Sequence, residues 1–167
     1  SPFYFDPNTG ERLSGWRRVK GKLYYFGKNG AALTGKQKIG KYQYYFSRNG
    51  VLQKDTLIQR TYYAGKRGQL ASGWIHYGVN DYYFDPVTFR MYTGWREIKG
   101  KHYYFNAYGQ LVKGRMVGKT WYVNESGERQ YGWVDEGTKR YYLDPDTGKA
   151  AKNGWYVINK QKFYFLE

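Results

Sequence analysis

Tryptophan and tyrosine are the residues of this chain whose types and spacing indicate a chemical role. Five of the six tryptophans directly follow a glycine, and each lies eight residues before two adjacent aromatic residues. Sugar rings have apolar faces that stack on such rings, while polar side chains bind their hydroxyl groups. Polar companions occur near all five tryptophans, namely Arg17, His76, Arg96, Asp135 and Asn159. The pattern therefore predicts repeated aromatic grooves that suit non-covalent binding of a repetitive ligand.

Covalent chemistry has little support in the sequence. The two histidines, His76 and His102, lie in different parts of the chain, and the paired carboxylates Asp135-Glu136 lie next to a predicted turn. No nucleophile elbow, phosphate loop or metal-ligand spacing occurs. Cysteine is absent, which excludes disulfides and thiolate ligands. We predict no catalytic residue, no metal site and no cofactor.

The aromatic pairs belong to triplets that recur along the whole chain in steps of 18 to 22 residues. Such a period predicts stacked units, because about 20 residues cannot bury an apolar core alone. The nine triplets are Phe3-Tyr4-Phe5, Tyr24-Tyr25-Phe26, Tyr44-Tyr45-Phe46, Tyr62-Tyr63-Ala64, Tyr82-Tyr83-Phe84, Tyr103-Tyr104-Phe105, Trp121-Tyr122-Val123, Tyr141-Tyr142-Leu143 and Phe163-Tyr164-Phe165.

One clear repeat, residues 94–114, shows the plan of the unit. Trp95 to Ile98 forms a predicted strand, Lys99-Gly100-Lys101 a turn, and His102 to Phe105 the returning strand. Asn106 to Gly109 is a second turn before the next repeat. Frequent glycines leave no helical period. We therefore predict an all-β fold, a β-solenoid of stacked short β-hairpins with connecting loops. It has about 20 residues per repeat and eight to nine repeats in a single array over residues 1–167.

Two repeats depart from this plan. In the third, we align Lys54-Asp55 with Gly-Trp, and Ala64 ends the triplet. In the sixth, Gly114-Arg115 takes the Gly-Trp place and Trp121 enters the triplet. Three repeats carry an Asp-Pro-x-Thr turn. The position of the aspartate indicates that it forms the turn and does not act as an acid. These aspartates are Asp6, Asp85 and Asp144. Phe89 follows the second of these turns, where the other two have glycine.

Strand geometry selects the candidate binding residues. Neighbouring side chains of a strand point to opposite faces, so the middle tyrosine of a triplet faces away from a buried third residue. Paired with the tryptophans, these tyrosines would form groove walls; alternatively, the tryptophans seal the core between repeats. The predicted ligand-binding residues are Trp16, Tyr25, Trp74, Tyr83, Trp95, Tyr104, Trp133, Tyr142 and Trp155.

The formal net charge of +15 favours an anionic partner, such as an acidic glycan, a teichoic acid, an anionic lipid or nucleic acid. It also fits a well-solvated surface without such a partner. No apolar run approaches the roughly 18 residues of a membrane span, so we predict no membrane insertion. Tyrosines interleaved with Lys and Arg could hold single-stranded nucleic acid, but the repeat pattern argues against nucleic acid as a partner. The oligomeric state stays open.

The order of Gly-Trp, a Gly-Lys turn, Tyr-Tyr-Phe, a glycine turn and Thr-Gly or Lys-Gly resembles the cell-wall-binding and glucan-binding repeat superfamily. That superfamily includes choline-binding modules, glucan-binding regions of glucansucrases and repeats of clostridial toxins. The resemblance implies a β-solenoid of hairpins and a noncatalytic module, secreted or at the bacterial cell surface. Since the chain starts within one repeat and stops just after another, we expect a fragment of a longer protein.

The ligand depends on the branch of that superfamily. Choline-binding repeats typically have tryptophan just before the Tyr-Tyr pair, whereas none of the corresponding residues here is aromatic. The resemblance therefore implies an α-glucan as the polysaccharide partner. A choline-decorated or anionic teichoic acid polymer, a host glycan bound as in toxin repeats, and a spacer without ligand remain alternatives. The residues before the pair are Leu23, Gln43, Thr61, Asp81, His102, Thr120, Arg140 and Lys162.

Overall fold

The computed structural model of the protein describes residues 5, 6 and 8–166, and every regular element within them is a β-strand. The strands form eight antiparallel two-stranded hairpins, so the predicted fold class is confirmed. Phe3 and Tyr4 of the first triplet and Pro7 of the first Asp-Pro turn lie outside the described residues. No helix long and apolar enough to cross a membrane occurs in the described part of the chain.

The strands are short and follow one another at the predicted spacing. Their bounds are β1 Gly15–Val19, β2 Lys22–Phe26, β3 Gly35–Ile39, β4 Tyr42–Phe46, β5 Thr56–Ile58, β6 Tyr62–Ala64, β7 Gly73–Tyr77, β8 Asn80–Phe84, β9 Gly94–Ile98, β10 Lys101–Phe105, β11 Arg115–Val117, β12 Trp121–Val123, β13 Gly132–Glu136, β14 Lys139–Leu143, β15 Gly154–Ile158 and β16 Gln161–Phe165. In the β9–β10 hairpin, Lys99 and Gly100 both have positive φ. Two such residues match the twist of paired strands.

The register corrects the alignment of the two short hairpins. In the first hairpin, Trp16 lies opposite Tyr25. The residue opposite the middle tyrosine is Leu57 in the third hairpin and Met116 in the sixth. The Gly-Trp place is therefore taken by Thr56-Leu57 and by Arg115-Met116. The alignments to Lys54-Asp55 and to Gly114-Arg115 were wrong, because these strands have three residues instead of five.

The core includes the last residue of seven triplets and, in several repeats, a loop residue that bridges to it. Phe46, for example, is fully buried and forms a β-bridge with Leu52. The other buried third residues are Phe26, Ala64, Phe84, Phe105, Val123 and Leu143. This row of apolar side chains is the one that the triplet pattern predicts.

Backbone hydrogen bonds join each repeat to the next. The N–H of Leu52 donates to the carbonyl of Leu23 in the previous repeat, at 2.8 Å. The same bond recurs from Leu70 to Gln43, Met91 to Thr61, Leu111 to Asp81, Arg129 to His102 and Ala150 to Thr120. The residues before the aromatic pair thus contribute their carbonyl groups to stacking. Because the bond uses only backbone atoms, many different side chains are compatible with the position before the aromatic pair.

The chain divides into two compact units. One comprises the described residues up to Ile75 together with Tyr83–Met91, and the other comprises His76–Tyr82 and the described residues from Tyr92 onward. The fourth hairpin contributes residues to both. A single array over residues 1–167 stays a prediction.

The Asp-Pro-x-Thr aspartates are turn formers, as predicted. The Oδ1 atom of Asp85 accepts the N–H groups of Val87 and Thr88, at 3.0 and 2.7 Å. Asp6 accepts the N–H of Asn8 in the same way. Hydrogen bonds from Thr147 lower the pKa of Asp144. These carboxylates are occupied by their own turns.

Gly50 tests how tightly neighbouring repeats pack. Its φ is +77°, and a Cβ added there would lie 2.8 Å from Cβ of Ala32 in the preceding repeat. Gly40 also has positive φ, but an added Cβ would meet no atom within 4 Å. Gly40→Ala should therefore cost about 1–2 kcal/mol of unfolding free energy through backbone strain alone. Gly50→Ala should cost about 1–3 kcal/mol more through overpacking. Urea unfolding measures both, and equal losses would contradict close packing at Gly50.

An ion pair between successive repeats gives a pH-dependent prediction. Asp81 bonds Lys113 of the next repeat and lies 2.8 Å from Nδ1 of His76, and the Lys113 hydrogen bond is the main cause of its lowered pKa. Because the pKa is lower in the folded state, this stabilisation is present above the unfolded pKa of about 3.9 and lost as the pH falls through the folded pKa.

Asp81→Asn should therefore cost about 0.5–1 kcal/mol at neutral pH and less at pH 2, because the carboxylate becomes protonated as the pH falls through its folded pKa. Urea unfolding at the two pH values measures the difference. The same loss at both would show that the charge of Asp81 does not contribute.

Candidate functional site

Each predicted tryptophan packs against a tyrosine of its own hairpin. Trp95 lies opposite Tyr104 in the register, and the ring centroids are 5.3 Å apart. The same contact, at 5.1–5.3 Å, joins Trp16 to Tyr25, Trp74 to Tyr83 and Trp133 to Tyr142. Trp155 has the same partner in Tyr164, which the sequence analysis did not select. The predicted pairs are thus brought together; their role in binding is a proposal.

In three places the next repeat adds a third ring. The ring of Trp16 lies 5.0 Å from that of Tyr44, with an angle of 70° between the planes. Trp95 meets Trp121 at 5.5 Å and 68°, and Trp133 meets Phe163 at 5.0 Å and 68°. We call each set of three rings an aromatic corner. Each corner has two steeply inclined walls.

Sequence analysis missed the third ring of every corner. Tyr44, Trp121 and Phe163 are each the first residue of the following triplet. Their position could have been inferred, since stacking brings the first residue of one triplet onto the tryptophan of the repeat before. Side-chain alternation along the strand places these residues on the same side as the buried third residue of the triplet.

Exposure bears on whether the tryptophans face solvent or seal the core. Trp74 and Trp133 are 43% and 41% exposed, and Trp155 is 71% exposed, whereas Trp16 and Trp95 are half-buried. Trp16 also lies 5.9 Å from the fully buried Phe46. A single tryptophan therefore touches the core and still presents part of its ring to solvent.

Cationic groups flank these corners. The guanidinium of Arg129 lies 5.8 Å from the ring centroid of Trp95 and donates to the hydroxyl of Tyr131. Arg17 donates to the carbonyl of Trp16 at 2.8 Å. These groups supply hydrogen-bond donors beside apolar rings. They also repel a second cation at the same place.

The third corner opens into a groove. This groove has a volume of about 950 Å³, within the range of small-molecule sites. Its aromatic part is formed by Trp133, Phe163 and Tyr164, and its polar part includes Lys152 and Glu136. Arg140 also lines it and bonds Asp135 in two places, at 2.6 and 3.0 Å. That contact lowers the pKa of Asp135, which is thus engaged within its own hairpin.

Not every repeat forms such a corner. In the second, third and sixth hairpins, the tryptophan place is taken by Lys36, Leu57 and Met116. These repeats keep the hairpin and the stacking bonds without the tryptophan ring. The repeated grooves are therefore chemically unequal.

The histidines lie on hairpin surfaces. His76 bonds Asp81, and Nε2 of His102 lies 4.0 Å from Glu97. Among residues 5, 6 and 8–166, no group of three or more His, Cys, Asp or Glu could hold a metal ion. These contacts do not place either histidine beside an aromatic corner.

Comparison with known proteins gives a family for the repeats. The family model of a cell wall binding repeat matches residues 14–32 and 93–111. Each range contains a Gly-Trp pair followed by a Tyr-Tyr-Phe triplet. In both of these repeats the tryptophan belongs to an aromatic corner.

Relatives occur among streptococcal proteins. The chain is 32% identical to glucosyltransferase-S of Streptococcus mutans over 170 aligned positions, which cover 98% of this chain and 10% of that protein. The solved structure of CbpJ from Streptococcus pneumoniae has a TM-score of 0.78 at 25% identity, covering 98% of this chain and 60% of that one. Choline binding protein F of the same organism, solved in the presence of a peptidoglycan analogue, has a TM-score of 0.78 at 28% identity, covering 98% and 59%.

These relatives are longer than the chain. The matched part amounts to 10–16% of the curated relatives. The family model describes a cell wall binding repeat, and the solved structures share the fold of this chain. The predicted resemblance is therefore confirmed: residues 14–32 and 93–111 match a cell wall binding repeat, and the fold is similar to that of solved choline-binding proteins.

Proposed function

We propose that the protein is a noncatalytic module that attaches a longer, secreted parent protein to a polysaccharide of the bacterial cell surface or its matrix. An α-glucan is the proposed ligand. The observation that carries the proposal is the recurrence of the aromatic corner in three repeats. Any catalytic activity would belong to another part of the parent protein.

The shape of a corner suits a sugar ring. Two inclined aromatic planes offer apolar walls to the C–H faces of a pyranose. Donors at the rim, such as Arg129 beside Trp95, can bind the hydroxyl groups. The same guanidinium disfavours an external ammonium ion, because like charges repel. A neutral or acidic saccharide therefore fits this corner better than choline.

One further observation supports an α-glucan polymer. The similarity to glucosyltransferase-S spans almost the whole chain, whereas the family model matches two of the repeats.

Individual corners are small, so each site would be weak. Several sites that engage one polymer together gain avidity of about 100-fold or more when their geometry fits.

A choline-decorated or anionic teichoic acid is the second candidate. Structural similarity to choline binding protein F and the net charge of +15 favour it. The charge would attract a polyanion through an interaction that salt screens.

Affinity electrophoresis distinguishes the two candidates. We expect gels containing dextran to retard the protein, and free choline or moderate salt to leave this retardation unchanged, since stacking on apolar rings is not ionic. Gels containing purified teichoic acid serve as the comparison. Retardation by teichoic acid alone, relieved by choline or by salt, would refute the α-glucan assignment and support the second candidate.

A double substitution tests the corner itself. Trp95→Ala with Tyr104→Ala removes two of its rings, and we expect roughly tenfold weaker retention by dextran, which corresponds to about 1.4 kcal/mol. Tyr108→Ala is the matched control, because it removes a ring from an exposed turn of the same repeat. Circular dichroism and thermal unfolding verify that the array remains folded. Unchanged retention in the folded double variant would remove this corner from the proposed site.

A further inference from the structure

The groove beside the second hairpin is already occupied by a side chain of the protein. Lys36 lies opposite Tyr45, at the place that tryptophan takes in five other hairpins. Its Nζ atom lies over the ring of Tyr62, 5.2 Å from the centroid, and over the ring of Phe89, at 5.3 Å. Both distances are within the roughly 6 Å range of a cation–π contact.

The carbonyl of Thr88 completes the surroundings of this ammonium. Nζ of Lys36 donates to that oxygen at 2.9 Å, across 52 positions of sequence. Tyr45 packs against Tyr62, with centroids 6.0 Å apart. The lysine thus has two aromatic faces and one hydrogen-bond acceptor. These are the components that hold a small ammonium ligand.

Phe89 is the unusual member of this pocket. It stands where the other Asp-Pro-x-Thr turns have glycine and adopts a φ of 63°, which is costly for a residue with a side chain. Its ring packs against a buried cluster of Ile58, Ala64 and Leu70. Ala64 is the smallest third residue of any triplet. Phe89 thus packs where a triplet ends in alanine, and its ring also faces Lys36.

We propose that Lys36 is a resident cation that closes this groove, so that Tyr62 and Phe89 form an ammonium pocket filled from within. The pocket takes no external cation in the unaltered protein. Loss of the lysine side chain would open a site for a small alkylammonium ion. The proposal is independent of the glucan assignment, because it concerns a groove without tryptophan.

Chemical modification of the unaltered protein tests occupancy. Lys36 should acetylate about tenfold more slowly than Lys38, the exposed lysine two residues along the same strand, because its ammonium is held by two rings and a carbonyl. Peptide mass spectrometry at short reaction times measures both rates. Equal rates would overturn the proposal, and this result does not depend on the folding of any variant.

A substitution then tests the pocket with tetramethylammonium as probe. In folded Lys36→Ala, titration should shift the NMR signals of the Tyr62 and Phe89 rings, while Lys38→Ala and the unaltered protein should show no such shift. Absence of a shift in folded Lys36→Ala, or an equal shift in the unaltered protein, would overturn the proposal. Dextran retention should be the same in both variants, so failure of the glucan assignment leaves this test unaffected.

Discussion

The constraint behind this structure is that no hairpin can bury an apolar core alone. A unit of about 20 residues has too little interior, and a two-stranded hairpin is marginal in water. The chain meets this constraint by joining successive repeats, through the bond from a loop N–H to the carbonyl before the preceding triplet and through buried third residues such as Phe46 and Phe105. Stability is thus a property of neighbouring pairs of repeats.

The same stacking creates the candidate grooves. A tryptophan and its cross-strand tyrosine come from one hairpin, but the third ring of a corner comes from the next. A single repeat would therefore carry only part of a site. Trp16 shows how closely the two roles are linked, since it approaches both Tyr44 of a corner and Phe46 of the core. A change of residue at such a position affects recognition and packing together.

Much of this could be predicted from sequence, because its cause is local. The alternation of side chains along a strand places the middle tyrosine opposite tryptophan, and glycine turns mark the hairpins. The short third and sixth hairpins were misaligned, since their strands keep the triplet but lose residues near the turn, where the sequence has no marker of register. The contact of Lys36 with Phe89 was out of reach, because it joins repeats that stand 53 positions apart in sequence.

Positively charged side chains contact aromatic rings in two different settings in this chain. Arg129 lies at the rim of a tryptophan corner, where it can serve a ligand that carries hydroxyl groups. Lys36 lies over two rings of a groove that lacks tryptophan. Aromatic rings attract either a sugar face or a cation, so the position of the protein's own cations determines which ligand a given groove can accept. Under the proposed function, the choice between ligands would be set less by the rings, which recur, than by the cations beside them, which differ from repeat to repeat.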